Sequence, residues 1–396
     1  MGRIVLFRAD RRHPCGSDVR RAPVPSVDDV RRVASGPMSY RVVQWATGNQ
    51  GVESIRAILD RPDLELVGAK VYSDAKEGAD LGELVGRAPV GVTATQDVDA
   101  LLALGADCVA YMPRIASLDE VCAILANGAN VVTTAFLFYP PALPAHDLRR
   151  LTEACEQGGT SVHGTGLNPG NLSGVLPLAL SGMSRSIEKV TLQERADWSF
   201  YESTHITFDN MRFGRPADEV SEEASEFLRF NSGIFKEEVQ LIADALGAGI
   251  DEIATEVELV EARESHDIFG ITLEPGTVAG QRWRWAGCRE GRALVEIETL
   301  WTVGGEYPDH WPRPADGWTL TIEGEPSMRS HFLALASFHR DVPIAEHVRA
   351  ASIATAMQAV NAIPALCEAP AGIRTMADLP LIRSGRGFGF AEPRRV

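Results

Sequence analysis

The chain has 396 residues, of which 45% are hydrophobic and 23% charged, and its formal net charge is −16. That length suggests roughly two to three domains of ordinary globular composition, and the acidity repels phosphate backbones and sets nucleic acid aside as a partner. No apolar run looks long enough to span a bilayer. Cys15, Cys108, Cys122, Cys155, Cys288 and Cys367 form no C-x-x-C pair and lack zinc-finger spacing to a His, so they read as buried free thiols in a reducing, cytoplasmic setting.

Residues 1–37 are rich in Arg and Pro, without sustained periodicity. No apolar stretch follows the Arg11-Arg12 pair, so a signal peptide is not expected. The segment reads as a disordered extension, with Met38 as a candidate native start. From Tyr40 the pattern is regular. Strands are expected at 41–46, 64–71, 106–112, 130–134 and 161–164. Helices are expected at 51–60, 98–104, 119–126 and 144–158. This alternation predicts a doubly wound parallel sheet covered by helices on both faces, over residues 38–167, with ligands at the strand C-termini.

Beyond Gly166 the rhythm changes. "SIEKVTLQERADWSF" is strand-like, 224–246 is helical, "GQRWRWAGCREGRALVEIETLWTVGG" alternates around a turn as a hairpin, and "GWTLTIEGEP" is another strand. Residues 168–344 therefore read as an α+β substrate and dimerisation domain on a mainly antiparallel sheet. The Pro- and Trp-rich "YPDHWPRPADGW" reads as a flexible lid or a plain long hairpin connection, the latter preferred. Residues 345–396 read as a helix, interrupted at Pro364, plus a tail.

The stretch "RVVQWATGNQGVESI" runs an apolar strand into a tight turn and then a helix. In the dinucleotide fingerprint G-x-G-x-x-G, Ala46 holds the first glycine position and Gly48 and Gly51 the others. Thr47, Gly48, Asn49, Gln50 and Gly51 are the expected cradle, with the pyrophosphate on the helix N-terminus. NAD sites usually end the second strand with an acid, which bonds the ribose hydroxyls; here Val71 falls near that place, followed by Ser73 and Lys76. A hydroxyl and an ammonium suit a 2′-phosphate, so NADP is the expected cofactor. Asp74 leaves NAD open.

Three segments carry a family resemblance. "GADLGEL" resembles the G-x-D-x-G-E-L segment of dihydrodipicolinate reductases. "NVVTTAFLFYP" with "VHGTGLNPG", and the late "VNAIPALCEAPAGIRTMADLP", resemble 2,4-diaminopentanoate dehydrogenases and the related native amine dehydrogenases. The resemblance spans most of the chain from residue 38 to about residue 380. It implies an NAD(P)-dependent reductase with a Rossmann domain, an α+β domain, a C-terminal helix returning to the first domain, and a homodimer. Two departures stand out. The reductases carry a His-His-x-x-K type motif where this chain has "QERADWSFYESTHITF", which points away from lysine-pathway reduction. The amine dehydrogenases carry an acidic pair just before the Tyr-Pro, including the Glu that handles the amine proton. Phe136 and Leu137 stand there, and the next acid is Asp147.

Tyr111, Met112 and Pro113 end a strand and are expected to flank the nicotinamide ribose. Asn168, at the crossover into the second domain, is expected to fix the carboxamide. Tyr139 and His205 are the candidate proton donors, His205 being the first to test. Glu194 and Asp197 fall on opposite faces of one strand and do not form a pair. Phe136, Phe138 and Trp198 suggest a pocket for a small, rather apolar substrate, to which Phe200, Trp283 and Trp285 are candidate additions. No cluster has metal-ligand spacing. The expected reaction is hydride transfer to a carbonyl or imine carbon. The alternatives are an amine dehydrogenase with a substitute acid and a non-catalytic NADP-binding regulatory protein.

Overall fold

The computed structural model describes residues 39–305 and 307–385; the extension and the Met38 start lie outside the described residues. The first half alternates as expected. Its strands are β1 (Tyr40–Trp45), β2 (Leu64–Lys70), β3 (Ala94–Thr95), β4 (Cys108–Tyr111), β5 (Asn130–Thr133) and β6 (Ser161–Gly164), and its helices α1 (Asn49–Leu59), α2 (Leu81–Leu84), α3 (Val98–Leu102), α4 (Leu118–Ala126) and α5 (Ala145–Gly158). Successive strand residues face opposite sides, and both sides are apolar. Val42, Cys108, Ala110 and Val132 pack into one buried cluster with Ile55 and Ile58 of α1. Val43, Trp45, Val109, Tyr111 and Val131 pack into the other with Ile124 of α4 and Leu151 of α5.

The "GADLGEL" segment is a fold device. The Asp80 carboxylate accepts from the amides of Gly82, Glu83, Val90 and Gly91, which pins the start of α2 to the loop beyond it. These bonds hold the Asp80 carboxyl below its ordinary range.

The second half contains α6 (Leu176–Ser181), β7 (Ser186–Asp197), α7 (Glu226–Ala245), β8 (Glu252–Glu261), a small pair β9 (His266–Ile268) and β10 (Ile271–Leu273), then β11 (Val278–Arg289), β12 (Arg292–Thr302), β13 (Gly317–Glu325) and β14 (Met328–Phe332). The six-stranded sheet runs β14-β13-β7-β12-β11-β8. Its neighbours are antiparallel except β7 and β12. One face carries Val190, Leu192, Trp283, Trp285, Ile297 and Trp301, buried against Phe235, Val239 and Ile242 of α7. Phe235 stacks on Trp285 at 4.4 Å. Trp283 and Trp285 therefore belong to this core.

Two expectations are corrected here. Because β7 lies between β12 and β13, the "YPDHWPRPADGW" segment does not close a hairpin. It crosses the sheet as a strap. Arg195 and Arg313 stack on Tyr307, His310 bonds Glu258, and Trp311 is buried. The C-terminal helix α8 (Ile344–Cys367) also runs through Pro364 without a break. Proline removes the bond to the carbonyl four residues back. That carbonyl, of Val360, accepts instead from Arg61 Nη1 at 3.4 Å, and the same nitrogen donates to Asn361 at 2.9 Å.

By length and apolarity α8 is also able to cross a membrane, which corrects the reading that no segment is. Here Ala356, Ala359, Val360, Ala362, Ile363 and Leu366 are buried in the first sheet's core instead. After α8 the chain adds β15 (Gly372–Ile373), giving a seven-stranded parallel sheet in the order β15-β6-β5-β4-β1-β2-β3.

Candidate functional site

The strand order reverses between β1 and β4, and a dinucleotide crevice opens at such a switch point. Ala46 takes the left-handed conformation, φ +71°, that the fingerprint usually gives to glycine. The buried Gln44 supports it, donating from Nε2 to the Ala46 carbonyl at 3.0 Å. That carbonyl points at Gly51, where a Cβ would lie 2.2 Å from it. Gly51 is therefore required by helix–strand packing. A Cβ at Gly48 would meet nothing within 4 Å. Gly48 and Asn49 are exposed at the start of α1, whose first amides have no partner within the helix. These features fit a pyrophosphate.

Lys76 lies beside this loop. Its ammonium donates to the Thr47 carbonyl at 3.0 Å and to the Thr47 hydroxyl at 3.1 Å. Ser73 is exposed on the same turn. Asp74 accepts from Gln96 Nε2 at 2.8 Å. At the start of α1 a cleft of about 500 Å³ is bounded by Asn49, Val52, Tyr201, Ser203 and Ser352, a size suited to a small-molecule site. Tyr201 reaches the Asn49 side chain there, and burial raises its phenol above the ordinary range.

Asn168 follows β6, ahead of a cis bond to Pro169. Its Nδ2 donates to Glu194 Oε2 at 2.8 Å. Glu194 also accepts from Trp301 Nε1 and Trp318 Nε1, each at 3.0 Å. Enclosure raises the Glu194 carboxyl, and the three donated bonds oppose that rise. Trp198 meets Trp301 edge-on at 5.6 Å and packs near Tyr201 and Phe213. Three buried polar atoms here have no hydrogen-bond partner: Asn168 Oδ1, Trp198 Nε1, and the hydroxyl of Thr299, which pairs with Glu194 across the strands. Phe138 approaches the same crossover at Gly166.

Other candidates are placed differently. Tyr111 is fully buried, its hydroxyl donating to Glu120 at 2.7 Å and accepting from the Ser117 amide at 2.9 Å. Its hydroxyl thus fixes the start of α4. Met112 and Pro113 are buried, with the Met112 amide on the Trp45 carbonyl. Phe136 packs into the first domain's helix layer, apart from Trp198. The Tyr139 hydroxyl is engaged by Asp244 of α7, and burial and that carboxylate push the phenol up to about 12. Phe200 is exposed. His205 reaches Arg114, just past β4: Arg114 Nη1 donates to its Nε2 at 2.5 Å, while its Nδ1 meets Asp209 at 2.8 Å. Both ring nitrogens are occupied, on an exposed cluster. His163 is a satisfied core residue, as expected, with Nδ1 on the Arg374 carbonyl at 2.8 Å.

Two acids behind the crossover escaped the sequence reading. Glu237 accepts from the Tyr139 amide at 3.3 Å, and burial pushes its carboxyl up to about 7. Glu238 is fully buried, and its carboxyl is pushed up to about 8. Among the described residues no group of His, Cys, Asp and Glu could hold a metal ion.

The family model for the 2,4-diaminopentanoate dehydrogenase C-terminal domain matches residues 174–387, more than half of the chain. The chain belongs to that family. It is an NAD(P)-dependent oxidoreductase, in line with its dehydrogenase relatives. An amine dehydrogenase of Streptomyces virginiae is 29% identical over 361 residues, 86% of this chain and 96% of that protein. The 2,4-diaminopentanoate dehydrogenase of Acetoanaerobium sticklandii is 23% identical over 274 residues, 68% of this chain and 72% of that protein. Among solved structures, the amine dehydrogenase of Mycobacterium smegmatis superposes with a TM-score of 0.69 at 23% identity, covering 87% of this chain and 97% of that one, and so shares its fold.

Proposed function

We propose that this family member uses NADPH to deliver hydride to the carbonyl or imine carbon of a small, rather apolar substrate. The observation that carries the reading is the Asn168–Glu194 contact. It ties the crossover from the nucleotide-binding sheet to a carboxyl held by Trp301 and Trp318, with Trp198 packed on Trp301. Bound nicotinamide would supply the hydride. The protein would supply an apolar chamber that excludes water, and polar groups that orient the reacting carbon and move its proton.

The cofactor fits on three features: open space over Gly48, free amides at the start of α1, and a left-handed Ala46 that turns the chain away. Lys76 supports NADP over NAD, because it follows β2, where a 2′-phosphate would lie, and brings its ammonium to Thr47 of the glycine loop. Asn168 Oδ1, buried and unpartnered, is an acceptor suited to a carboxamide N–H or to a substrate donor.

The test is oxidation of NADPH and NADH against aldehydes, ketones and cyclic imines, with and without ammonia. Turnover with NADPH preferred is the expected result. Tight NADPH binding without turnover on any substrate would favour a regulatory binding protein.

A further inference from the structure

Glu194, half-buried on its sheet, differs from the buried carboxylates there. On the opposite face Glu298 is buried and pairs with Arg282 at 2.6 Å, and Glu296 pairs with Lys189 at 3.2 Å. Glu194 accepts three hydrogen bonds, all from groups that can only donate. Among the described residues no cation pairs with it. The three donors favour the charged form against the enclosure that raises the carboxyl, and with no cation beside it among the described residues that charge is costly unless a counter-charge arrives.

The unfilled valences around it select the sign and shape of that counter-charge. Asn168 Oδ1 and the Thr299 hydroxyl are buried and free to accept. With the Glu194 carboxylate they make three acceptors, and Trp198 and Trp301 add aromatic rings. An ammonium donates three or four bonds, accepts none, and is attracted to ring faces. A neutral alcohol or ketone would leave most of this unused.

We propose that Glu194 is the nitrogen-binding carboxylate of the site, taking ammonium or the protonated amine of a small apolar substrate. This rests on the oxidoreductase reading above. It assigns the acid that the Phe136-Leu137 substitution removes from its expected place. In the reductive direction Glu194 takes one proton from ammonium and frees ammonia, whose nitrogen forms a bond to the carbonyl carbon. Glu194 then returns that proton to the carbinolamine hydroxyl, the C–O bond breaks, and water leaves an iminium. Bound NAD(P)H would supply the hydride that turns the iminium into the amine. One carbonyl compound, one ammonium and one NAD(P)H give one amine, one water and one NAD(P)+.

The test uses the full chain loaded with NADP+, titrated with cyclohexylammonium and with neutral cyclohexanol, followed by tryptophan fluorescence at neutral pH. The wild type is expected to bind the ammonium at least about tenfold more tightly. Glu194→Gln should lose that preference while its NADPH titration stays unchanged. Equal affinities in the wild type, or a preference kept by Glu194→Gln, would overturn the assignment. Thr299→Val guards against a variant that fails to fold: a several-fold weaker preference is expected, and an unchanged one counts against the site. Failure to bind NADPH would sink the oxidoreductase reading itself, separately from this assignment.

Discussion

Glu238 offers a quantitative check on the packing behind the crossover. It has no exposed surface, and neither carboxyl oxygen has a well-formed hydrogen bond. It faces Gly174, with Oε2 3.5 Å from where a Cβ would stand. Burial raises its pKa from 4.5 to about 8, with Glu237 adding repulsion and Ser173 opposing. Between these values the folded chain holds a proton that the unfolded chain has released. The stabilising contribution is therefore complete below pH 4.5, declines as pH rises, and is lost above about pH 8. The rise corresponds to about 5 kcal/mol at most. Glu238→Gln cannot ionise and removes this slope. Chemical denaturation from pH 5 to pH 8 should show the variant gaining several kcal/mol on the wild type as pH rises. Parallel stability curves would refute the argument, because they would mean that Glu238 is solvated or paired.

Further outcomes follow from the cofactor loop and the surface clusters. Gly51→Ala sets a methyl 2.2 Å from the Ala46 carbonyl; a loss of about 1–3 kcal/mol is expected, seen as a lower melting temperature with weaker NADPH binding. Lys76→Ala should weaken NADPH by roughly ten- to a hundredfold, the worth of a charge-assisted phosphate contact, and NADH by less than about threefold; equal losses in paired fluorescence titrations would move the 2′ site elsewhere. His205→Ala removes an exposed pairing worth under about 1 kcal/mol, so turnover should stay within about threefold. A hundredfold loss would make His205 the proton donor.

The doubly wound half was legible because its strands are apolar on both faces and its helices show one apolar stripe. Boundaries shifted by a residue or two, as at the predicted 51–60 and the observed Asn49–Leu59. The second sheet's order was not legible. Hairpin logic joins β12 to β13, and nothing local reports that β7, over a hundred residues earlier, comes between them. Pro364 read as a break because its compensation, Arg61, lies about 300 residues away in sequence.

The site was half legible. The glycine loop and Asn168 carried their own spacing. Glu194 was visible but set aside, although strand parity held the clue: it shares a face with Val190 and Leu192, so a carboxylate stood in a core register. Trp301 and Trp318 come from other strands, and only the pairing of Glu194 with Thr299 and Trp318 brings them in. The Tyr111 bond to Glu120 was not legible, because a strand-end tyrosine reads the same whatever its hydroxyl faces.

The most direct test of hydride transfer is isotopic. NADPH deuterated at both C4 positions would be incubated with the enzyme, cyclohexanone and ammonium, and the product examined by mass spectrometry. A single deuterium on the former carbonyl carbon of cyclohexylamine or cyclohexanol is the predicted result. Bound NADPH with no deuterium transferred to this ketone, or to an aldehyde or a cyclic imine offered in its place, would contradict the account.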